Sequence, residues 1–194
     1  MKIAAVLMAA GSSARFGGCK LITEFNSRPL YEYALDALPA DRLCAVAVVS
    51  GREEILSAAK GRGFMGVVNN APEEGPPRTI RLGMDAVGDA DAIMFMVADQ
   101  PLLRRESVAG ELDFFIKNAG SIVAMCHGAQ RGNPVIFPRE FFSELRALEG
   151  GRGGGAVMAA HADRVKLYSV ENGAELKDID TALDYIMLKK ENGL

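Results

Sequence analysis

Apolar residues in this chain collect in short continuous runs, not in long alternating or heptad patterns. The first run, Ile3 to Met8, is closed by Ala9, Ala10 and Gly11. An unbroken apolar run of this length, bounded by small residues, predicts a strand buried on both faces, as in a parallel sheet. The same reading gives strands at 43–49, 64–68 and 92–98. Between them the spacing turns helical. In 29–38, Leu30, Tyr33, Ala34, Ala37 and Leu38 fall on one face, with Pro29 suited to a first turn. Further helices are predicted at 53–62, stopped by Gly63, and at 78–87 and 105–118. Strands alternating with helices predict βαβ units: a mostly parallel central sheet of Rossmann-like α/β class, with helices on both faces and right-handed crossovers.

The remainder is less regular. Short strands are predicted at 121–125, 134–137 and 165–170, an amphipathic segment at 139–148, and a closing helix at 181–190. Residues 150–155 hold five glycines in six positions. This part is expected to add an antiparallel strand and a lid. With no linker and no internal repeat, residues 1–194 are expected to form a single domain.

Ligands of such sheets bind beyond the carboxyl ends of the strands. The segments 11–20 and 69–79 and the residue Asp99 should therefore converge. The first carries Gly11, Ser12, Arg15 and Lys20 among small residues. Bare backbone can approach a ligand closely, its N–H groups can cradle an anion, and two cations add charge where a polyphosphate would lie. It is neither a Walker loop, since Leu21 follows the lysine, nor a Gly-x-Gly-x-x-Gly turn, since position 13 is serine. A signal peptide is the competing reading of Lys2 followed by the apolar run 3–10, but the basic region has one charge and the apolar core is short.

Composition narrows the function. The net charge is −3, without blocks of like charge, which argues against non-specific nucleic-acid or membrane-surface binding. No apolar run approaches transmembrane length. Cys19, Cys44 and Cys126 are far apart and form no Cys-x-x-Cys pair, so a reducing cytoplasm is the expected location.

Asp99 closes the most apolar strand, followed by Gln100 and Pro101. A carboxylate there suits magnesium, which takes one or two carboxylates plus substrate phosphates; the alternative is a helix cap. Asp178 and Asp180 flank Ile179 and offer a second carboxylate, again with a capping alternative at Asp180 or Thr181. His127 and His161 have no partner at ligand spacing and read as surface residues. Met84, Met94, Met96, Met125 and Met158 read as core filling. Arg152, inside the glycine run, is either a substrate contact or part of a surface turn.

Taken together, these residues resemble a family. Met8-Ala9-Ala10-Gly11-Ser12-Ser13-Ala14-Arg15-Phe16-Gly17 with Lys20 is similar to Leu-Ala-Ala-Gly-x-Ser-x-Arg-Met-Gly-x-x-Lys, the signature of MobA-like nucleotidyltransferases, especially molybdenum cofactor cytidylyltransferases. Asn69 with Gly75 and Thr79, Asp99-Gln100-Pro101, Gly132-Asn133-Pro134 and Asp178-Ile179-Asp180-Thr181 resemble the later motifs in order. The chain departs from them at Asn70, Pro76, Pro77 and Ala182, and at 151–155, where relatives carry Gly-Asp-Lys-Gly-Ala-Arg.

The resemblance implies a cytoplasmic enzyme that moves a nucleoside monophosphate, CMP from CTP, onto the phosphate of molybdenum cofactor (molybdopterin) and releases pyrophosphate. It implies nucleotide binding by Met8, Ala9, Ala10, Gly11, Ser12, Arg15, Lys20, Asn69, Gly75 and Thr79. Arg15, Lys20 and Asp99 would be catalytic, Asp99 and Asp180 would hold Mg2+, and Gln100, Gly132 and Asn133 would face the acceptor. The partners implied are a nucleoside triphosphate, molybdenum cofactor or another phosphorylated small molecule, and a molybdoenzyme or its chaperone, with no nucleic acid or membrane. A sugar phosphate or other phosphorylated alcohol as acceptor, and a non-catalytic cofactor carrier, are the alternatives.

Overall fold

The computed structural model describes residues 1–11, 16 and 19–191. Its elements in chain order begin with β1 (Ile3–Met8), β2 (Glu24–Phe25), β3 (Arg28–Pro29), α1 (Leu30–Ala37), β4 (Ala45–Ser50) and α2 (Glu53–Gly61). They continue with β5 (Met65–Val68), α3 (Pro76–Val87), β6 (Ala92–Val97), α4 (Arg105–Lys117), β7 (Ile122–His127) and β8 (Gln130–Pro138). The last are α5 (Phe142–Arg146), α6 (Gly154–Ala160), β9 (Val165–Ser169) and α7 (Ala182–Glu191).

Seven strands form one sheet in the order β5-β4-β1-β6-β8-β7-β9. β1 pairs in parallel with both β4 and β6, so Ala5 lies between Val46 and Met94. β8 runs antiparallel to β6 and β7, while β9 is parallel to β7. The mostly parallel sheet with one reversed strand is the architecture expected from the apolar runs.

Successive strand residues point to opposite faces, and both faces are covered. Ile3, Ala5 and Leu7 join one core with residues of α1, α2 and α4, including Leu35, Ile55, Leu112 and Phe115. Ala4 and Val6 join the other with Ile80 and Met84 of α3, Leu145 of α5 and Val157 of α6. This two-sided burial is why the strands read as unbroken apolar runs. Gly83 lets α3 lie close on β1: a Cβ there would fall 2.3 Å from a methyl of Val6.

Three features differ from the sequence expectations. β2 and β3 form a two-residue hairpin at Asn26 and Ser27, both with positive φ, which the helical pattern beginning at Pro29 had hidden. β8 is longer than the predicted 134–137, because pairing with β7 extends it back to Gln130. The glycine run is not a separate lid. Gly150 and Gly151 take positive φ in a turn, and Gly154 and Gly155 begin α6. Among the described residues, no helix is long and apolar enough to cross a membrane.

Candidate functional site

The chain leaves β1 toward β4 on one side and enters β6 on the other, so the connections diverge between the carboxyl ends of β1 and β6. Such a switch point opens a crevice in a parallel sheet. A cleft of ≈ 380 Å³ lies there, lined by Met8, Ala10 and Gly11 after β1, by Gly75, Pro76 and Thr79 at the start of α3, and by Lys20, Asp99 and Asp180.

Lys20 is the electrostatic centre of this cleft. Its Nζ lies 2.5 Å from Asp99 Oδ2 and 2.8 Å from Asp180 Oδ1. Burial disfavours its charge, but the two carboxylates outweigh that and raise its pKa above the usual lysine value. The lysine remains charged and the carboxylates are held around one cationic position. Among the described residues, the second oxygen of Asp99, Oδ1, is buried without a hydrogen-bond partner.

Asp180 comes from near the far end of the chain, and three contacts place it. Glu175, 1% exposed, accepts hydrogen bonds from Arg104 N, Nε and Nη2 and so caps α4 while anchoring its own segment. Ile179 N donates to Asp99 O at 3.0 Å, and its buried side chain packs with Phe25, Leu30 and Leu188. Thr181 and Asp184 form a capping box at α7: Asp184 N donates to Thr181 Oγ1 at 3.1 Å and Thr181 N to Asp184 Oδ2 at 2.7 Å. Capping is thus done by Thr181 and Asp184, and the carboxylate of Asp180 faces Lys20. The Thr-x-x-Asp spacing was visible in the sequence as a capping signal.

Asp178 lies in an adjoining recess with Gln130 and Asp184. Surrounding protein, followed by the charges of Asp99 and Asp180, pushes its carboxyl up to about 6, opposed by a hydrogen bond from Gln100. Of the two aspartates, Asp180 is the one that lines the cleft with Lys20 and Asp99.

Several sequence-predicted residues stand behind the cleft instead of in it. Ala9 is buried; its N donates to Val49 O and its O accepts from Ser50 Oγ, both at 2.9 Å. Asn69 is fully buried and organises the 69–79 loop. It donates to Thr79 Oγ1 at 3.1 Å and accepts from Ala71 N and Arg78 Nε at 3.1 and 3.0 Å. Thr79, which Asn69 holds, does reach the cleft. Gln100 is buried too, donating to Leu176 O, and lines neither this cleft nor the next one. Ser12 and Arg15 lie outside the described residues.

Gly132 and Asn133 line a second pocket of ≈ 250 Å³ with Arg131, Phe137, Gly154, Gly155 and Met158. Met8 borders both cavities. Arg131 was not singled out by sequence reasoning, because a lone exposed arginine carries no motif. Met158 packs against the core as expected and also forms part of this pocket wall. The histidines are peripheral: His127 Nδ1 lies 3.0 Å from Val170 O, and His161 pairs with Glu144 at 2.8 Å.

Among the described residues, no three His, Cys, Asp or Glu side chains converge as a metal site. Two carboxylates around one cationic position, one with an unsatisfied buried oxygen, fit a hard divalent ion that takes its remaining ligands from substrate phosphates.

Residues 5–165 match the family model of the MobA-like NTP transferase domain, and the chain belongs to that family. In structure it is similar to Rv0371c from Mycobacterium tuberculosis H37Rv (25% identity, 98% of each chain covered, TM-score 0.84), also solved in complex with manganese (22% identity, 98% and 99% covered, TM-score 0.77). It is similar to a nucleotidyl transferase from Methanothermobacter thermautotroptrophicus (19% identity, 98% and 97% covered, TM-score 0.82). It is also similar to a CMP:2-keto-3-deoxy-manno-octonic acid synthetase complexed with CTP (14% identity, 100% of each chain covered, TM-score 0.75).

Proposed function

We propose that this nucleotidyltransferase of the MobA-like family transfers CMP from CTP to the phosphate of molybdenum cofactor and releases pyrophosphate. The observation that carries the reading is the position of Lys20 between Asp99 and Asp180 at the mouth of the β1 and β6 strands. A cation and two carboxylates at the carboxyl ends of these strands support entry of nucleotide phosphates from that side. The family supports triphosphate as donor, and a CTP complex of a protein with this fold supports the choice of base. Ala10, in the position where the resemblance associates Leu-Ala-Ala-Gly with CTP, adds to it.

In this reaction an oxygen of the acceptor phosphate attacks the α-phosphorus, the bond to the bridging oxygen breaks, and pyrophosphate leaves with that electron pair. A phosphate is already nucleophilic, so the protein needs no Ser, Cys or His nucleophile. Its task is alignment and charge stabilisation. Lys20 would turn from the carboxylates to the triphosphate, and Arg15 would add a second cation. Gly11 and Gly75 keep the backbone low beneath the nucleotide; Gly75 has φ 76° and leads into the positive end of α3. Asp99 and Asp180 would hold a divalent ion, Mg2+ in this reading, which when bound neutralises charge on the phosphate oxygens. The manganese complex of a similar structure supports a divalent ion. The proposed partners are accordingly a nucleoside triphosphate, molybdenum cofactor and a molybdoenzyme or chaperone that receives the product.

The experiment is pyrophosphate release with Mg2+, comparing CTP, GTP and ATP, with and without molybdenum cofactor. Cofactor-dependent release preferring CTP is expected. Release dependent on a sugar phosphate would replace the acceptor, and nucleotide binding without any release would refute catalysis.

A further inference from the structure

A third apolar cluster lies apart from the two sheet cores, with Phe25, Leu30, Ile179 and Leu188 as its buried members. Phe25 is the hub, edge to face with Tyr33 of α1 at 5.8 Å and with Tyr185 of α7 at 6.0 Å. Both tyrosines also grip the β2–β3 hairpin. Tyr33 Oη donates to Phe25 O at 2.5 Å, and Tyr185 Oη to Glu24 O at 2.7 Å. Among the described residues, no member of this cluster lines the cleft around Lys20. Its members nevertheless come from the segments that feed that cleft. Phe16, which packs against the cluster, precedes Lys20 in the same loop, and the hairpin of Phe25 follows it. Leu102 packs there too, just after Asp99, and Ile179 directly precedes Asp180.

α7 closes this cluster. It has 10 residues, and a helix this short is marginal in water unless packing holds it. Leu183, Ile186 and Met187 on its outer side are exposed. Among its described side chains, Tyr185 and Leu188 are the ones that enter the cluster. Undocking α7 removes the packing behind Phe25 and Ile179, and with it the fixed placement of Lys20 between Asp99 and Asp180. We propose that α7 is a positioning element of the nucleotide site, with Tyr185 and Leu188 as its positioning residues. Docked, they hold Lys20 and Asp180 in the geometry that receives a triphosphate. Nucleotide binding and docking of α7 are then coupled, and the coupling is reciprocal by linkage. Bound nucleotide suppresses opening of α7 by the same factor by which docking strengthens nucleotide binding. The inference rests on the nucleotide-binding step of the reaction above and is independent of the acceptor.

Hydrogen exchange of the 182–191 segment in the full chain, read by mass spectrometry with Mg2+, is the test. It is compared without nucleotide and with saturating CTP, GTP or ATP. The nucleotide that binds is expected to slow exchange in α7 roughly ten-fold or more, although α7 lies outside the cleft. Two variants accompany it. Leu188→Ala opens the cluster, and Tyr185→Phe removes only the hydroxyl that reaches Glu24 O. Calorimetric affinity for that nucleotide should fall roughly 10- to 100-fold in Leu188→Ala and roughly 2- to 10-fold in Tyr185→Phe. Val87→Ala, in the sheet core at the opposite end of α3 from Thr79, is the control for stability alone. It should lower the urea midpoint and leave nucleotide affinity and α7 protection unchanged. Exchange in α7 that no nucleotide slows, or wild-type nucleotide affinity in Leu188→Ala, would overturn the assignment. So would an affinity loss in Val87→Ala as large as that in Leu188→Ala. Protection of α7 without pyrophosphate release would sink the transfer reaction and leave this coupling standing; cofactor-dependent release with α7 unprotected would do the reverse.

Discussion

The ammonium of Lys20 lies 2.5 Å from the carboxylate of Asp99, between residues 79 positions apart in the chain. Asp180 completes the contact from the other side at 2.8 Å. Lys20→Met leaves two carboxylates facing each other in a partly buried cleft. CTP affinity and turnover should each fall, turnover by roughly 10²–10³. Manganese binding in the absence of nucleotide, followed by electron paramagnetic resonance, should tighten, because the ion no longer competes with the ammonium. Unchanged manganese affinity would show that Lys20 and the ion do not share the carboxylates.

Asp99→Asn keeps the shape of the side chain and removes its charge. Circular dichroism should match the wild type while pyrophosphate release falls by roughly 10³ or more. Full activity in this variant would remove Asp99 from the chemistry.

Asn69 acts through the loop it holds. Removing its amide leaves Thr79, Ala71 and Arg78 without a shared partner inside a fully buried position. Asn69→Ala should cost about 1–3 kcal/mol in urea unfolding. It should also raise the KM for CTP more than it lowers kcat, since Thr79 lines the cleft. A KM equal to the wild type would confine Asn69 to stability alone.

Gly83 is where α3 meets β1. Gly83→Ala places a methyl 2.3 Å from Val6 Cγ1 and should destabilise the fold by about 1–3 kcal/mol. Adding Val6→Ala should restore part of that loss, because the clash is with those methyls. A double variant no more stable than the single one would place the strain elsewhere.

Glu111 on α4 is fully buried, and neither carboxylate oxygen has a hydrogen-bond partner among the described residues. Burial alone raises its pKa well above the ordinary carboxylate value. The folded chain therefore binds a proton that the unfolded chain releases. Its contribution is intact below the unfolded pKa of 4.5 and is lost as pH rises toward the folded value. Glu111→Leu should stabilise the protein by about 1–3 kcal/mol near pH 8 and by less near pH 5. Equal effects in thermal unfolding at both pH values would contradict this account.

The strands and the core were legible because burial on both faces demands continuous apolar runs, and a run such as Ile3–Met8 has few other uses. The cleft was legible at Gly11, Lys20, Thr79 and Asp99, because each follows a strand end or opens a helix. The hairpin at Asn26 and Ser27 was not, since its strands are two residues each, too short to show an alternating pattern beside the helix that starts at Leu30. The burial of Asn69 and Gln100 was not legible, for a different reason. A polar residue in a motif reads as a ligand contact until burial shows which partners it already satisfies.

Residue order alone determined the parallel α/β sheet, its two-sided core and the strand ends beside which the cleft opens, because those follow from local periodicity and the rule that parallel strands are buried. Tertiary structure decided what long-range contact alone can decide. It chose Asp180 over Asp178 for the cleft, by bonding Ile179 N to Asp99 O and giving the cap of α7 to Thr181 and Asp184. It also brought Arg131 to the edge of an apolar pocket built from β1, α3, β6, β8 and α6. No local pattern encodes that pocket, because its residues are distant along the chain and share only the space they enclose.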